Sequence, residues 1–283
     1  MTRRLPVAVA VLAVVMTVTA CTGVPTSSTP QVIQKVPLVQ PQQPAVVTPQ
    51  AGENPRAIVL DFLQNNAADD EHVAAARAFL TPEEKNRWSD ATQTQVIDSL
   101  QISNPEDDTV TVTGHLIGTL DQSGVYTPSL PGDGQGGHGT ASSVPIGLKQ
   151  VDGQWRIDKL PNGLVITADQ FAQYYTQYFI YFYDQAQQLL VPDQRYTSLR
   201  DSEPLATWLM TQLIGQPRSS LSTALPSIPN ADQIKVTLGN LLAVEIPGAG
   251  QLDSPTRDRM AQQVAVTVDQ AAPNIQMTIT DGG

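Results

Sequence analysis

Apolar spacing along this chain changes period several times, and each change predicts an element. Leu5 to Val18 is an apolar run behind Arg3 and Arg4, and Val18-Thr19-Ala20-Cys21 closes it. From Thr22 to Pro55 no period is visible, and prolines at 25, 30, 37, 41, 44, 49 and 55 remove backbone donors and bias the segment toward an extended stalk. At about 3.1 Å per residue such a stalk reaches roughly 100 Å. Only Val32-Ile33 and Val46-Val47 offer local docking points, as edge strands.

Helical spacing then sets in. Asn54-Pro55 supplies a cap and first position, and Ile58, Val59, Phe62 and Leu63 recur on one face. A second helix, from about Glu71 to Leu80, is expected to bury Val73, Ala76 and Phe79/Leu80. Thr81-Pro82-Glu83-Glu84 predicts a capping box leading a short helix to Trp88. From Gln95 the period becomes two. Val110, Val112, Gly114, Leu116, Gly118 and Leu120 share one strand face, with Thr109, Thr111, Thr113 and His115 on the other. Tyr126 to Ser143 is a Gly-rich loop, and Val144 to Val151 pairs with Gln154 to Leu160 across an Asp152-Gly153 turn.

Thr167-Ala168-Asp169-Gln170 caps another short helix through Phe171 and Tyr174. Tyr178 to Asp184 and Leu189 to Tyr196 predict two strands. In the first, Phe179, Tyr181 and Tyr183 alternate with Tyr178, Ile180 and Phe182, so both faces are apolar and a central strand covered on both sides is expected; an aromatic ligand platform is the alternative. A helix from Pro204 to Ile214 is stopped by Gly215 and Pro217. Strands follow at Gln233 to Leu238 and Leu241 to Ile246, then a helix capped by Ser254-Pro255 with Met260, Val264 and Val268, and a strand at Ile275 to Thr280. The order β-β-α-β-β-α-β is α/β.

Cys21 is the sole cysteine, and its place directly after small residues at the end of a charged-then-apolar leader changes the picture. The leader is too short to span, since about 20 apolar residues are needed, and Pro6 interrupts it. Val18-Thr19-Ala20-Cys21 resembles the lipobox of bacterial lipoproteins. That resemblance implies cleavage after Ala20, an S-diacylglycerol on the Cys21 thiol and an N-acyl group on its amine. Localisation at the cell membrane, lipid-anchored on the extracytoplasmic face, follows, because two or three acyl chains hold a protein that one chain holds only reversibly. The formal charge of −11 falls to about −13 once Arg3 and Arg4 are removed, which argues against nucleic acid and against polybasic attachment to lipid.

Catalytic groups are sparse. Of the three histidines, His115 lies mid-strand, His138 sits in a Gly-rich loop, and His72 opens a helix where exposure is expected. No His/Cys spacing suits zinc, and Asp-Gly-Gln-Gly-Gly lacks a calcium-loop ligand series or a phosphate-loop lysine. Asp69-Asp70-Glu71 and Glu106-Asp107-Asp108 are a helix start and a solvated turn, with weak Ca²⁺ binding as the sharper alternative. Trp88 and Trp208 are each expected to pack within their own domain. No enzyme activity, metal or cofactor is expected.

Helices followed by a meander ending in Asp-Gly-Gln-Trp-Arg-Ile resemble the cone-shaped α+β domains of the nuclear-transport-factor-2-like (NTF2-like) class. Tyr-Phe-Ile-Tyr-Phe-Tyr-Asp, Leu-Val-Pro-Asp-Gln-Arg-Tyr, a Leu-rich helix ending in Gly-Gln-Pro and Leu-Ser-Thr-Ala-Leu-Pro resemble the GerMN domain. The expected organisation is a signal peptide (1–20), a lipidated Cys and stalk (21–54), an NTF2-like α+β domain (55–165) and a GerMN-type α/β domain (166–283). That whole order is similar to the actinobacterial LpqB lipoprotein family. The family implies interaction with the extracellular domain of a two-component sensor histidine kinase of the MtrAB type, modulation of its signalling, and links to cell envelope and division. In the family a β-propeller follows, whereas this chain stops at Asp281-Gly282-Gly283; a shortened form is expected, with a native two-domain protein as the alternative. Besides an interaction module, two functions stay open: binding of a lipid, glycan or peptidoglycan fragment in the first domain's pocket, and an envelope hydrolase.

Overall fold

The computed structural model describes residues 45–66, 70–130, 139–215, 217, 220–228 and 233–281. They belong to one compact unit, Pro41–Gly283. Val32-Ile33, Cys21 and the leader lie outside the described residues.

Helix α1 (Pro55–Asn65) starts where the Asn54 side chain accepts the Ala57 N–H at 3.0 Å, with Pro55 at the first position. Residues before it, within the segment predicted as stalk, are docked. Val47 donates its N–H to Asn65 Oδ1 at 3.1 Å and accepts from Asn65 Nδ2 at 2.9 Å, and the Gly52 N–H reaches Gln154 Oε1 at 3.1 Å. Val47 is therefore held by a side-chain amide rather than as a strand.

Helix α2 (Asp70–Ala76) is shorter than predicted and tightens into a 3₁₀ turn over Arg77–Phe79. Its buried face carries Ala76, Phe79 and Leu80. Four residues before Ala76, on the same face, His72 is only 3% exposed, so the expectation that it is exposed is corrected by helix phase, and Val73 is half-buried instead. Helix α3 (Pro82–Arg87) follows, with half of the predicted capping box. Thr81 Oγ1 accepts the Glu84 N–H at 3.2 Å, while the Glu84 carboxylate turns to Arg87 and the Leu160 N–H.

Six strands form one sheet: β1 (Gln93–Ile102), β2 (Thr109–Asp121), β3 (Tyr126–Pro128), β4 (Thr140–Val151), β5 (Gln154–Lys159) and β6 (Leu164–Thr167), in the order β5-β4-β2-β1-β6 with β3 on β2. Glu106-Asp107-Asp108 is a tight turn, with φ of 46° and 57° at the two aspartates and Glu106 and Thr109 exchanging both backbone bonds at 2.9 Å. Asp152 and Gly153, at φ 52° and 75°, make the predicted β4–β5 turn. The Gly-rich loop is shorter than expected, since Tyr126–Pro128 pairs with β2 and β4 begins at Thr140. Strand β6 runs parallel to β1 and has no counterpart in the predicted set. The helix-facing side of the sheet is filled by Ile58, Phe62, Phe79, Trp88, Ile97, Val110 and Ile157, and Phe62 meets Trp88 edge-on at 5.6 Å.

Helix α4 (Ala168–Tyr174) carries a complete capping box, with Thr167 Oγ1 on the Gln170 N–H and Gln170 Oε1 on the Thr167 N–H. Strands β7 (Thr176–Asp184), β8 (Leu190–Thr197) and β9 (Leu221–Ser222) form a sheet in the order β8-β7-β9. Ile180 and Phe182 are fully buried, whereas Phe179 and Tyr181 on the other face are half-buried, so β7 is central but its two faces are covered unequally.

Helix α5 (Ser202–Ile214), strands β10 (Lys235–Leu238) and β11 (Leu242–Glu245), helix α6 (Ser254–Val268) and strand β12 (Met277–Thr280) complete the chain. β11 pairs antiparallel with β10 and parallel with β12, giving a β-α-β unit through α6. The α6 cap is Asp253, one residue before the predicted one. Its carboxylate accepts the Thr256 N–H at 2.9 Å, and hydrogen bonds from Thr256 hold its pKa below the usual aspartate value. The chain is thus α+β over its first half and α/β over its second.

Candidate functional site

The two halves meet along an aromatic seam. On the sheet face away from the first helices, Val96 and Ile166 pack with Tyr174, Phe171 and Tyr175. Phe171 stacks on Tyr126 at 5.2 Å and on Tyr175 at 5.3 Å, and lies 5.1 Å from Tyr196 of β8. Offset rings at such separations hold a fixed mutual orientation. Backbone bonds join the same parts. The Tyr196 N–H donates to the Gly124 carbonyl at 2.8 Å, and Arg200 donates to the carbonyls of Gln173 and Tyr174 at the end of α4.

Gly124 makes the close approach feasible. Its φ is +76°, and an added Cβ would lie 2.6 Å from the Tyr196 carbonyl oxygen and 2.9 Å from Trp208 Cζ2. Trp208 packs against the core of its own half, as expected, and its ring edge also meets the β2–β3 loop at Gly124; Trp88 packs within the first core. The missing side chain at Gly124 admits the indole edge.

Beside this contact a cleft of ≈ 370 Å³ opens, walled by Trp208, Tyr175 and Tyr196 on one side and by Asp90, Gln93 and Asp121 on the other. Burial pushes the Tyr175 hydroxyl pKa up, a shift opposed by a hydrogen bond with Thr94. Arg77 pairs with the Asp90 carboxylate. One Asp121 oxygen accepts from the Ser123 N–H, the Ser123 hydroxyl and the Val125 N–H at 2.9, 2.7 and 2.9 Å.

Neither described histidine is part of the cleft lining. His72 is buried in α2 and His115 is exposed on β2 opposite Asp98, while His138 and Asp69 lie outside the described residues. Among the described residues no three His, Cys, Asp or Glu side chains gather as a metal site would need. No helix among them is long and apolar enough to cross a membrane. The sequence singled out neither Gln93 nor Gly124, because the cleft is assembled from segments far apart in the chain.

These features define a two-part α+β and α/β body whose halves share one aromatic seam. Residues 48–172 match the family model described as "Lipoprotein LpqB, N-terminal domain". Among curated proteins, the chain is 32% identical over 226 residues to a lipoprotein LpqB of Mycolicibacterium smegmatis, covering 78% of this chain and 37% of the relative. It is 30% identical over 280 residues to one of Rhodococcus jostii (92% and 45%), and 34% identical over 208 residues to one of Mycobacterium paratuberculosis (71% and 34%). The chain belongs to the lipoprotein LpqB family and spans less than half the length of these relatives. No solved structure matches it.

Proposed function

We propose that this lipoprotein is held on the extracytoplasmic face of the cell membrane through acylated Cys21 and acts as an interaction module. Its partner is the extracellular domain of a two-component sensor histidine kinase of the MtrAB type, whose signalling it modulates. The observation that carries this reading is the similarity to lipoproteins LpqB over up to 92% of the chain, together with Val18-Thr19-Ala20-Cys21 at the end of an apolar leader. Two halves locked by the Phe171 seam suit a partner-binding role, because a pre-ordered surface avoids the entropic cost of ordering on contact. A non-enzymatic role fits the separation of His72 from His115, one buried beside α1 and the other exposed on β2.

The test is co-purification of the full lipidated chain with the detergent-solubilised kinase. Recovery of the kinase, and a change in its autophosphorylation on adding the lipoprotein, are the expected results. No recovery, with autophosphorylation unchanged across a range of lipoprotein concentration, contradicts the reading.

A further inference from the structure

The cleft beside Trp208 has the chemistry of a carbohydrate site. We propose that it binds a short neutral glycan, one or two sugar units long, between the two halves of the body.

Three observations converge on that class. First, size and shape fit: ≈ 370 Å³ lies near the lower end of the roughly 300–1,000 Å³ usual for small-molecule sites. Second, the walls are divided in the way a sugar requires. Trp208, Tyr175 and Tyr196 supply aromatic surface for the apolar C–H faces of a pyranose, while Thr92 and Gln93 supply exposed neutral donors and acceptors for its hydroxyls, and Gln122, whose Nε2 is engaged by the Ala91 carbonyl, adds an acceptor oxygen. The Trp208 ring edge is pinned against Gly124, so the indole is a fixed wall of the cleft.

Third, the charges select against the competing ligands. Among the described residues no lysine or arginine lines the cleft, and the carboxylates lining it are Asp90 and Asp121, so phosphates, fatty acids and other anions are disfavoured. Asp90 is already paired with Arg77, and one oxygen of Asp121 is occupied by three hydrogen bonds, so few free carboxylate oxygens are left to ligate a cation. A neutral, hydroxyl-rich ligand is left. Pre-organisation strengthens the case. The Phe171 seam and the Tyr196–Gly124 backbone bond fix the walls before any ligand arrives, so binding need not pull the halves together.

The experiment uses the full chain in a detergent without a sugar headgroup, because an alkyl glycoside would compete for the cleft. Saturation-transfer NMR and titration calorimetry are run with chitobiose, cellobiose and maltose as neutral probes, with inositol hexaphosphate as an anionic probe and choline as a cationic one. Binding of at least one neutral saccharide is expected, with affinity falling about tenfold or more in both Trp208→Ala and Gln93→Ala, as loss of one well-made contact predicts. Gln93 is exposed, so its variant keeps the wild-type melting temperature and separates lost binding from lost folding. Three results overturn the proposal: no neutral saccharide binding at millimolar concentration, binding unchanged in Gln93→Ala, or choline or inositol hexaphosphate binding in preference to every saccharide.

Discussion

Gln263 on α6 seals the edge of β7 at Tyr181. Its Nε2 donates to the Tyr181 carbonyl at 2.9 Å, while its Oε1 accepts the Ala224 N–H at 2.9 Å and the Thr223 hydroxyl at 3.2 Å. One turn along, Thr267 Oγ1 accepts the Tyr181 N–H at 3.2 Å. Gln270 completes the row with bonds to both the N–H and the carbonyl of Phe179, at 3.0 and 2.7 Å. β9 pairs with β7 only at Tyr183 and Asp184, so most of this edge has no strand partner, and a helix face of polar side chains stands in for one.

Gln263→Leu is expected to destabilise the chain by about 2–4 kcal/mol, because it orphans a buried backbone carbonyl and a buried N–H at once. Denaturant unfolding checks this. Phe179 and its partner Gln270 are less enclosed, so Gln270→Leu should cost less, on the order of 1–2 kcal/mol.

Gly124→Ala forces a Cβ to within 2.6 Å of the Tyr196 carbonyl, at a φ of +76° that alanine disfavours. We expect a loss of about 1–3 kcal/mol. Because the Cβ also meets Trp208, the substitution should shift tryptophan emission to the red under native conditions, while Gly153→Ala, which meets no atom within 4 Å, leaves the emission unchanged.

Asp193 and Arg195 form a buried ion pair at 2.7 Å, their side chains 4% and 6% exposed, on the face of β8 opposite Tyr178 and Ile180. Removing the Arg195 guanidinium takes a charged partner from the buried Asp193 carboxylate. Arg195→Met should cost about 3–5 kcal/mol, and the double variant Asp193→Leu/Arg195→Met should recover much of that loss. Unfolding of the three variants in parallel decides it.

Asp61 has a pKa raised by burial and by the nearby Glu53 carboxylate. A folded-state pKa above the unfolded one gives stability that is present at low pH and lost as pH rises through the folded value. At neutral pH the ionised Asp61 is therefore a liability. Asp61→Asn should raise the melting temperature at pH 7, by less than about 1 kcal/mol in stability given solvent screening, and should flatten the loss of stability just above the ordinary aspartate range. Melting curves across pH 3 to pH 8 test this.

Local periodicity revealed most elements. The alternation from Thr109 to Leu120 sorts buried Val110 and Val112 from exposed Thr113 and His115, as the structure does. Caps at Asn54 and Thr167 and the helix through Met260, Val264 and Val268 were legible for the same reason, since each depends on residues within one or two turns. What depends on distant partners was not. Strand β6 exists because Leu164 to Thr167 finds β1 about 70 residues earlier, a pairing that four residues cannot announce. Gln263 and Thr267 look like ordinary solvent-facing positions in sequence, yet both are fully buried against a strand edge. The cleft depends on Gly124 admitting Trp208, and a lone glycine in a turn carries no sign of what will approach it.

Attachment to the membrane through Cys21 is tested most directly by membrane fractionation of cells expressing Cys21→Ala. Among the described residues both cores are filled from Val47 onward, so the variant should fold with the wild-type melting temperature and move from the membrane pellet to the soluble fraction. Retention of the folded variant in the pellet at the wild-type level would contradict the lipid anchor and the site of action inferred from it.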